Sequence, residues 1–210
     1  MKKAVEMLEY EREYARQGYC AICGADEVGR GPLAGPVVVA AVCMPLETDK
    51  LIDGVNDSKK LSPKRREQLY DVILRIADAY RIAEIAPEEI DSINILNATK
   101  KAMREAINAL KDRCDLALTD ALDPGAELRC VPIVKGDAKS YNIAAASIVA
   151  KVYRDRLMDE YAKLYPQYGF ERNKGYGTRE HIDAIGAYGL CPIHRRSFVT
   201  HFAIGGGNGT

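Results

Sequence analysis

The sequence predicts an α/β fold in which a mixed sheet carries helices on both faces, and three observations predict it. Two apolar runs, residues 20–26 and 37–43, are joined by a Gly/Pro-rich loop and read as a pair of buried strands. Residues 80–85 alternate as a third strand. Beyond them strand patterns alternate with helical ones, and meander order followed by alternation gives a mixed sheet.

Each element has its own justification. Cys20-Ala21-Ile22-Cys23-Gly24-Ala25 is apolar, ends on Asp26-Glu27 and opens into Gly29-Arg30-Gly31-Pro32. Val37-Val38-Val39-Ala40-Ala41-Val42 forms the second strand. Ser62-Pro63 supplies an N-cap and first-turn proline for a helix running to about Ala79. Tyr80-Arg81-Ile82-Ala83-Glu84-Ile85 is the third strand, and Pro87 with Glu88 and Glu89 starts another helix. From Ile95 to Lys111 the apolar residues Leu96, Met103, Ile107 and Leu110 keep mostly helical spacing. Leu116-Ala117-Leu118-Thr119-Asp120 is a short strand ending on an acid, and proline makes Val131-Pro132-Ile133-Val134 a peripheral one. A long helix spans 141–164, with a mostly apolar first half suited to burial against a sheet.

A chain of 210 residues with 47% hydrophobic content supports one sizeable core, with a small C-terminal appendage. The 30 basic and 30 acidic residues cancel, so any nucleic-acid footprint must be local. The N-terminal residues lack the uninterrupted apolar stretch of a secretion signal, and no segment approaches the ~20 apolar residues of a bilayer span. A cytoplasmic location is therefore expected. Cys20 and Cys23 have the spacing of zinc and redox sites, but no second pair exists and His181, His194 and His201 lack ligand spacing. Reduced, core-strand thiols are expected.

Two acids beside a glycine-flanked arginine put metal ligands next to a turn able to approach a phosphate or sugar closely. Gly29, Gly31 and Ala34 also fit G-x-G-x-x-A, but that fingerprint opens a helix, whereas Pro32 and Pro36 lead into a strand. A nucleotide cofactor is excluded on that ground. Ligands of open α/β sheets gather at strand ends, so Asp26 and Asp120 meet there if their strands are neighbours. Consecutive strand residues face opposite ways, so Asp26 and Glu27 share one metal cluster only if the strand bends or ends, which the Gly29 turn is expected to supply.

On the long helix Ser147, Lys151 and Asp155 repeat every fourth residue: either a solvated face with a Lys151–Asp155 pair, or a stripe that adds a fourth acid. Lys59, Lys60, Lys64, Arg65 and Arg66 form one basic cluster; Arg172, Lys174, Arg179, Arg195 and Arg196 form another. Such runs are either solvated faces or phosphate contacts flanking the acids. Tyr176, between two glycines, is expected to be exposed and suits stacking against a sugar, although a lone residue of this kind is more often a packed surface tyrosine. His194 contacts phosphate or caps local structure and stays outside the catalytic set.

The chain resembles bacterial ribonuclease HII, the type 2 ribonuclease H family. The resemblance rests on residues 26–36, Asp57-Ser58-Lys59-Lys60-Leu61-Ser62, Lys135-Gly136-Asp137, residues 143–155, Gly175-Tyr176-Gly177-Thr178 and His194-Arg195-Arg196-Ser197-Phe198. It implies an RNase H-like α/β fold, a mixed β-sheet flanked by helices, with a small helical C-terminal extension: residues 1–165 catalytic, 166–204 substrate-binding, 205–210 a flexible tail. It further implies hydrolysis of the RNA strand of RNA/DNA hybrids and nicking 5′ to single ribonucleotides in duplex DNA, leaving 3′-hydroxyl and 5′-phosphate ends. Removal of misincorporated ribonucleotides follows.

By family pattern Asp26, Glu27, Asp120 and Asp155 match the four metal-binding, catalytic acids. Gly29, Arg30 and Gly31 match the motif that senses the ribose 2′-hydroxyl, and Tyr176 matches the tyrosine packed on the sugar; Lys59, Ser147, Lys151, Arg195 and Ser197 complete the expected substrate contacts. Type 3 relatives usually carry lysine where Arg30 stands. The implied cofactors are two divalent cations, Mg2+ or Mn2+, since all-oxygen ligands select hard ions and a pair about 3.5–4 Å apart activates water and stabilises the leaving oxygen. The 2′-hydroxyl is the difference by which RNA is told from DNA. A monomer acting on ribonucleotide-containing duplexes, without membrane, is implied; no sliding-clamp peptide is evident, and Cys20 and Cys23 have no family role. The rivals are a DNA nuclease or Holliday-junction resolvase on the same fold, and a non-catalytic hybrid-binding protein.

Overall fold

In the computed structural model, which describes residues 2–200, β1 (Ile22–Val28) pairs antiparallel with β2 (Val37–Cys43), and β2 pairs antiparallel with β3 (Ala79–Ile85). On its other side β1 runs parallel to β4 (Leu116–Asp120), which runs parallel to β5 (Cys130–Ile133). The order is β3-β2-β1-β4-β5, the mixed RNase H-like sheet. Pro132 accordingly lies on an edge strand.

Helices α1 (Lys2–Glu6) and α2 (Glu9–Arg16) precede the sheet; α3 (Pro63–Ile76) links β2 to β3. α4 (Pro87–Ile93) and α5 (Ile95–Asn108) lead to β4, and α6 (Tyr141–Leu164) follows β5. The unbroken apolar sequence of β2 reflects cover on both faces. Val38, Ala40 and Val42 pack toward α3 and α6, while Val37, Val39, Ala41 and Cys43 pack toward α5. α6 lies so close to β1 that a Cβ at Gly24 would stand 2.2 Å from the Asn142 carbonyl carbon. Its N-terminus is capped by Ser140, and the buried Glu11 carboxylate of α2 accepts from the Ser140 hydroxyl and the Asn142 amide at 2.6 and 3.0 Å.

Several element boundaries differ from expectation. α3 stops at Ile76 because Ala79 already pairs with Cys43 and the Asp78 amide donates to the Cys43 carbonyl. α5 ends at Asn108 and gives way to turns. β1 begins at Ile22 because Asp115 accepts from the Cys20 and Ala21 amides at 2.7 and 3.1 Å. Cys20 is therefore exposed, and of this pair Cys23 alone is a core thiol.

The C-terminal extension holds α7 (Phe170–Asn173), α8 (Arg179–Tyr188) and α9 (Arg196–Val199). Its apolar residues Tyr168, Phe170, Ile185 and Val199 pack with Met158 and Ala162 of α6 and with Leu33 and Ala34 of the β1–β2 loop. The expected tail at 205–210, and the extension beyond residue 200, lie outside the described residues. Among the described residues no helix is long and apolar enough to cross a membrane.

Candidate active site

β1 and β4 are adjacent and parallel, with Ala25 opposite Thr119, so Asp26 and Asp120 sit side by side at the carboxyl ends of neighbouring strands. Strand alternation turns Asp26 toward α6 with Gly24, and turns Asp120 the same way as Leu116 and Leu118. Asp26 is buried and accepts from the Glu27 amide at 2.7 Å; Asp120 accepts from the Gly136 amide at 2.7 Å.

Glu27 enters the same electrostatic field from the other face of the strand. β1 continues to Val28, with Glu27 opposite Val39, so alternation aims Glu27 away with Cys23 and Ala25. The bend comes two residues too late to bring both side chains to one side. Glu27 Oε1 lies 3.3 Å from Arg30, and Glu27 Oε2 is buried without a hydrogen-bond partner among the described residues.

Burial pushes the Asp26 carboxyl well above the usual carboxylate range, and the charges of Glu27 and Asp120 push it further against a hydrogen bond from Ser147. Burial also raises Glu27, opposed by Arg30 and reinforced by Asp120. Among the described residues no group of three or more His, Cys, Asp or Glu side chains is placed to hold a metal ion. The donor chemistry nonetheless fits a hard cation: oxygen ligands only, mutual repulsion among acids, and an orphaned Glu27 oxygen.

Of the two readings of the α6 stripe, the ion pair is what forms. Lys151 donates to Asp155 at 2.8 Å, and Arg66 lies 3.9 Å from its other oxygen. Ser147, two turns earlier, is buried, bonds the Ser58 hydroxyl at 2.9 Å and faces Asp26. Asp137 was missed as an acid of the site. It is buried, and its carboxyl is raised by burial and then by Asp57 and Asp120, while Lys59 opposes. The signal lay in Lys135-Gly136-Asp137: it directly follows the last strand, and parallel neighbours deliver their carboxyl ends to one sheet edge.

The loop after β1 is held from behind. Gly29 has φ +90°, and a Cβ there would stand 2.2 Å from Arg154 Nε. Arg154 and Arg195 are both fully buried, so burial lowers them, to about 10 and about 9; both remain charged at neutral pH. Arg195 was expected to contact substrate. Its guanidinium instead donates inward to the carbonyls of Gly29, Arg30 and Gly35. Arg154 donates to Pro36, Ala34 and Lys174 carbonyls at 3.0, 3.1 and 3.0 Å. Ser197, though exposed, gives its hydroxyl to Asp91, which caps α9.

Tyr176 is exposed, as expected, and its ring would lie 3.9 Å from a Cβ at Gly31. The Gly175 carbonyl accepts from Leu33 at 2.8 Å, docking this turn onto the loop. Beneath it, His181 Nδ1 meets the Tyr176 carbonyl at 2.9 Å and His181 Nε2 meets His194 Nε2 at 3.0 Å. His194 is buried and serves local structure, with Nδ1 accepting from the Cys191 amide at 2.9 Å. The second basic cluster is largely neutralised: Arg172 pairs with Glu180, Lys174 with Asp159 and Arg179 with Asp183. In the first, Lys60 pairs with Asp57 and Arg66 with Asp155, while Lys59 lies in the field of Asp137.

A family model described as Ribonuclease HII matches residues 23–201. The chain is 54% identical over 200 residues to Ribonuclease HII of Caldanaerobacter subterraneus subsp. tengcongensis, covering 95% of this chain and 82% of that one. The ribonuclease H2 from Pyrococcus horikoshii superposes with TM-score 0.75 at 29% identity, covering 88% of this chain and 97% of that one. In the PCNA:RNase HII complex from Archaeoglobus fulgidus, the matching chain has TM-score 0.74 at 30% identity, with coverages of 86% and 96%.

Proposed function

The chain belongs to the ribonuclease HII family, divalent-metal-dependent endonucleases that cleave RNA in RNA/DNA hybrids, and from that premise we propose that it nicks 5′ to single ribonucleotides embedded in duplex DNA. It leaves 3′-hydroxyl and 5′-phosphate ends and removes misincorporated ribonucleotides, acting in the cytoplasm as a monomer. One observation carries this reading: Asp26 and Asp120 lie side by side at the strand ends, next to a glycine-rich turn faced by an exposed tyrosine.

In this reading Asp26, Glu27 and Asp120 hold two Mg2+ or Mn2+ ions, and Asp137 takes the fourth place in preference to Asp155. Asp137 is buried within the field of Asp120, whereas Asp155 is engaged by Lys151 and Arg66. When bound, such ions generate hydroxide and neutralise the departing 3′ oxygen. Gly136 and Ser147 orient the Asp120 and Asp26 carboxylates. Gly29, Arg30 and Gly31 meet the 2′-hydroxyl, Tyr176 packs on the sugar, and Lys59 and Lys151 contact phosphate. The extension at 166–204 contributes by carrying Tyr176.

The test offers a DNA duplex with one ribonucleotide, an all-DNA duplex and an RNA duplex, each with Mg2+ and with chelator. Metal-dependent nicking confined to the 5′ side of the ribonucleotide is expected. Cutting of all-DNA makes the chain a general nuclease, and tight binding without nicking makes it a binder. Asp137→Asn is expected to reduce nicking more than Asp155→Asn does; the reverse order restores Asp155 to the metal set.

A further inference from the structure

Two cations buried completely, with no carboxylate among the described residues bonded to either, are costly to keep. Arg154 and Arg195 are also close enough to repel each other. Every guanidinium bond they make runs to a backbone carbonyl of the 29–36 loop or to Lys174. The consequence lies on the far side of those peptides. In a trans peptide the C=O and N–H point in opposite directions. Arg195 draws the Gly29 and Arg30 carbonyls inward, so the amides bonded to them, those of Arg30 and Gly31, face outward. Among the described residues neither amide donates to a protein acceptor, and both residues are exposed. Arg154 bridges the loop, through Ala34 and Pro36, to Lys174, two residues before Tyr176. It therefore fixes the spacing between the outward amides and the tyrosine ring.

We propose that Arg154 and Arg195 are the positioning residues for ribose discrimination, aiming the Arg30 and Gly31 amides and the Tyr176 ring at one sugar without touching it. This rests on the reading that the turn meets the 2′-hydroxyl. Guanidinium is required because its planar fork engages two or three carbonyls at once, whereas an ammonium is a single point charge. The buried positive charge also polarises these peptides, making the outward N–H groups stronger donors toward a hydroxyl oxygen.

The test measures binding in Ca2+ buffer to a duplex with one ribonucleotide and to the same duplex in DNA, for the unaltered protein, Arg195→Lys and Arg154→Lys. The preference for the ribonucleotide is expected to drop roughly tenfold to a hundredfold in each folded variant, with all-DNA affinity nearly unchanged. A preserved preference, or equal loss on both duplexes, overturns the inference. If a lysine variant does not fold, hydrogen exchange on the unaltered protein decides: the Arg30 and Gly31 amides must exchange freely alone and be protected by the ribonucleotide duplex but not by all-DNA. Absence of that difference also overturns it. An unaltered protein with no preference for the ribonucleotide instead sinks the functional reading on which the inference rests.

Discussion

Arg154 and Arg195 are buried cations, and Asp26 and Glu27 are buried or half-buried acids just before the loop those cations hold, yet the two groups are satisfied in opposite ways. The guanidiniums are surrounded by carbonyl acceptors from one loop. The acids repel one another, and a Glu27 oxygen has no hydrogen-bond partner among the described residues. Buried charge that is fully hydrogen-bonded fixes backbone geometry, whereas buried charge left partly unsatisfied suits a ligand that arrives later. Removing a guanidinium should therefore cost folding, and removing an acid should cost chemistry.

The largest test of that contrast is Asp120→Asn. Cleavage is expected to fall by about 10³-fold, on the order of 4 kcal/mol of barrier, with the unfolding midpoint unchanged or raised because a like charge is gone. Unchanged cleavage breaks the contrast at once. Arg195→Ala is expected to lower stability in a urea melt by about 2–4 kcal/mol, since three carbonyls lose their donors. Asp26→Asn in the same melt should be neutral or stabilising; comparable losses from both substitutions erase the distinction.

The histidine pair tests a third buried arrangement, satisfied only when neutral. Burial and the neighbouring His181 lower His194 to about 4, and burial lowers His181. A histidine depressed on folding contributes stability above its ordinary value of 6.5 that is lost as pH falls toward 4. Acid should thus destabilise the protein by on the order of 2–3 kcal/mol across that window, and His194→Gln should flatten the slope. An unchanged slope in that variant means other groups carry it. Smallest of all, Lys59→Ala should weaken binding by about 1 kcal/mol and reduce the salt slope by about one. An identical salt slope removes its phosphate role.

Much of the fold is written locally. The apolar first half of α6, the proline that places β5 at the edge and the Ser62-Pro63 start of α3 are each decided by neighbours in sequence. The acids are legible as residue types, but their company depends on strand pairing. That β1 lies against β4 places Asp120 beside Asp26, and that β1 runs on to Val28 turns Glu27 away. Neither fact has a local signature. Arg154 did leave one: Ala150 and Met158, one turn either side of it on α6, are both buried, so a cation stands in an apolar stripe. Arg195 left none, because it follows an irregular loop where no periodicity marks the inner face.

The bonds from Arg195 span 160 and 166 positions of chain, to Gly35 and Gly29. During synthesis the amino end emerges first, so β1, β2 and β4 can assemble on the ribosome while residue 195 is still within the exit tunnel or unmade. The strand ends that carry Asp26 and Asp120 can therefore form before the turn beside them has its final shape.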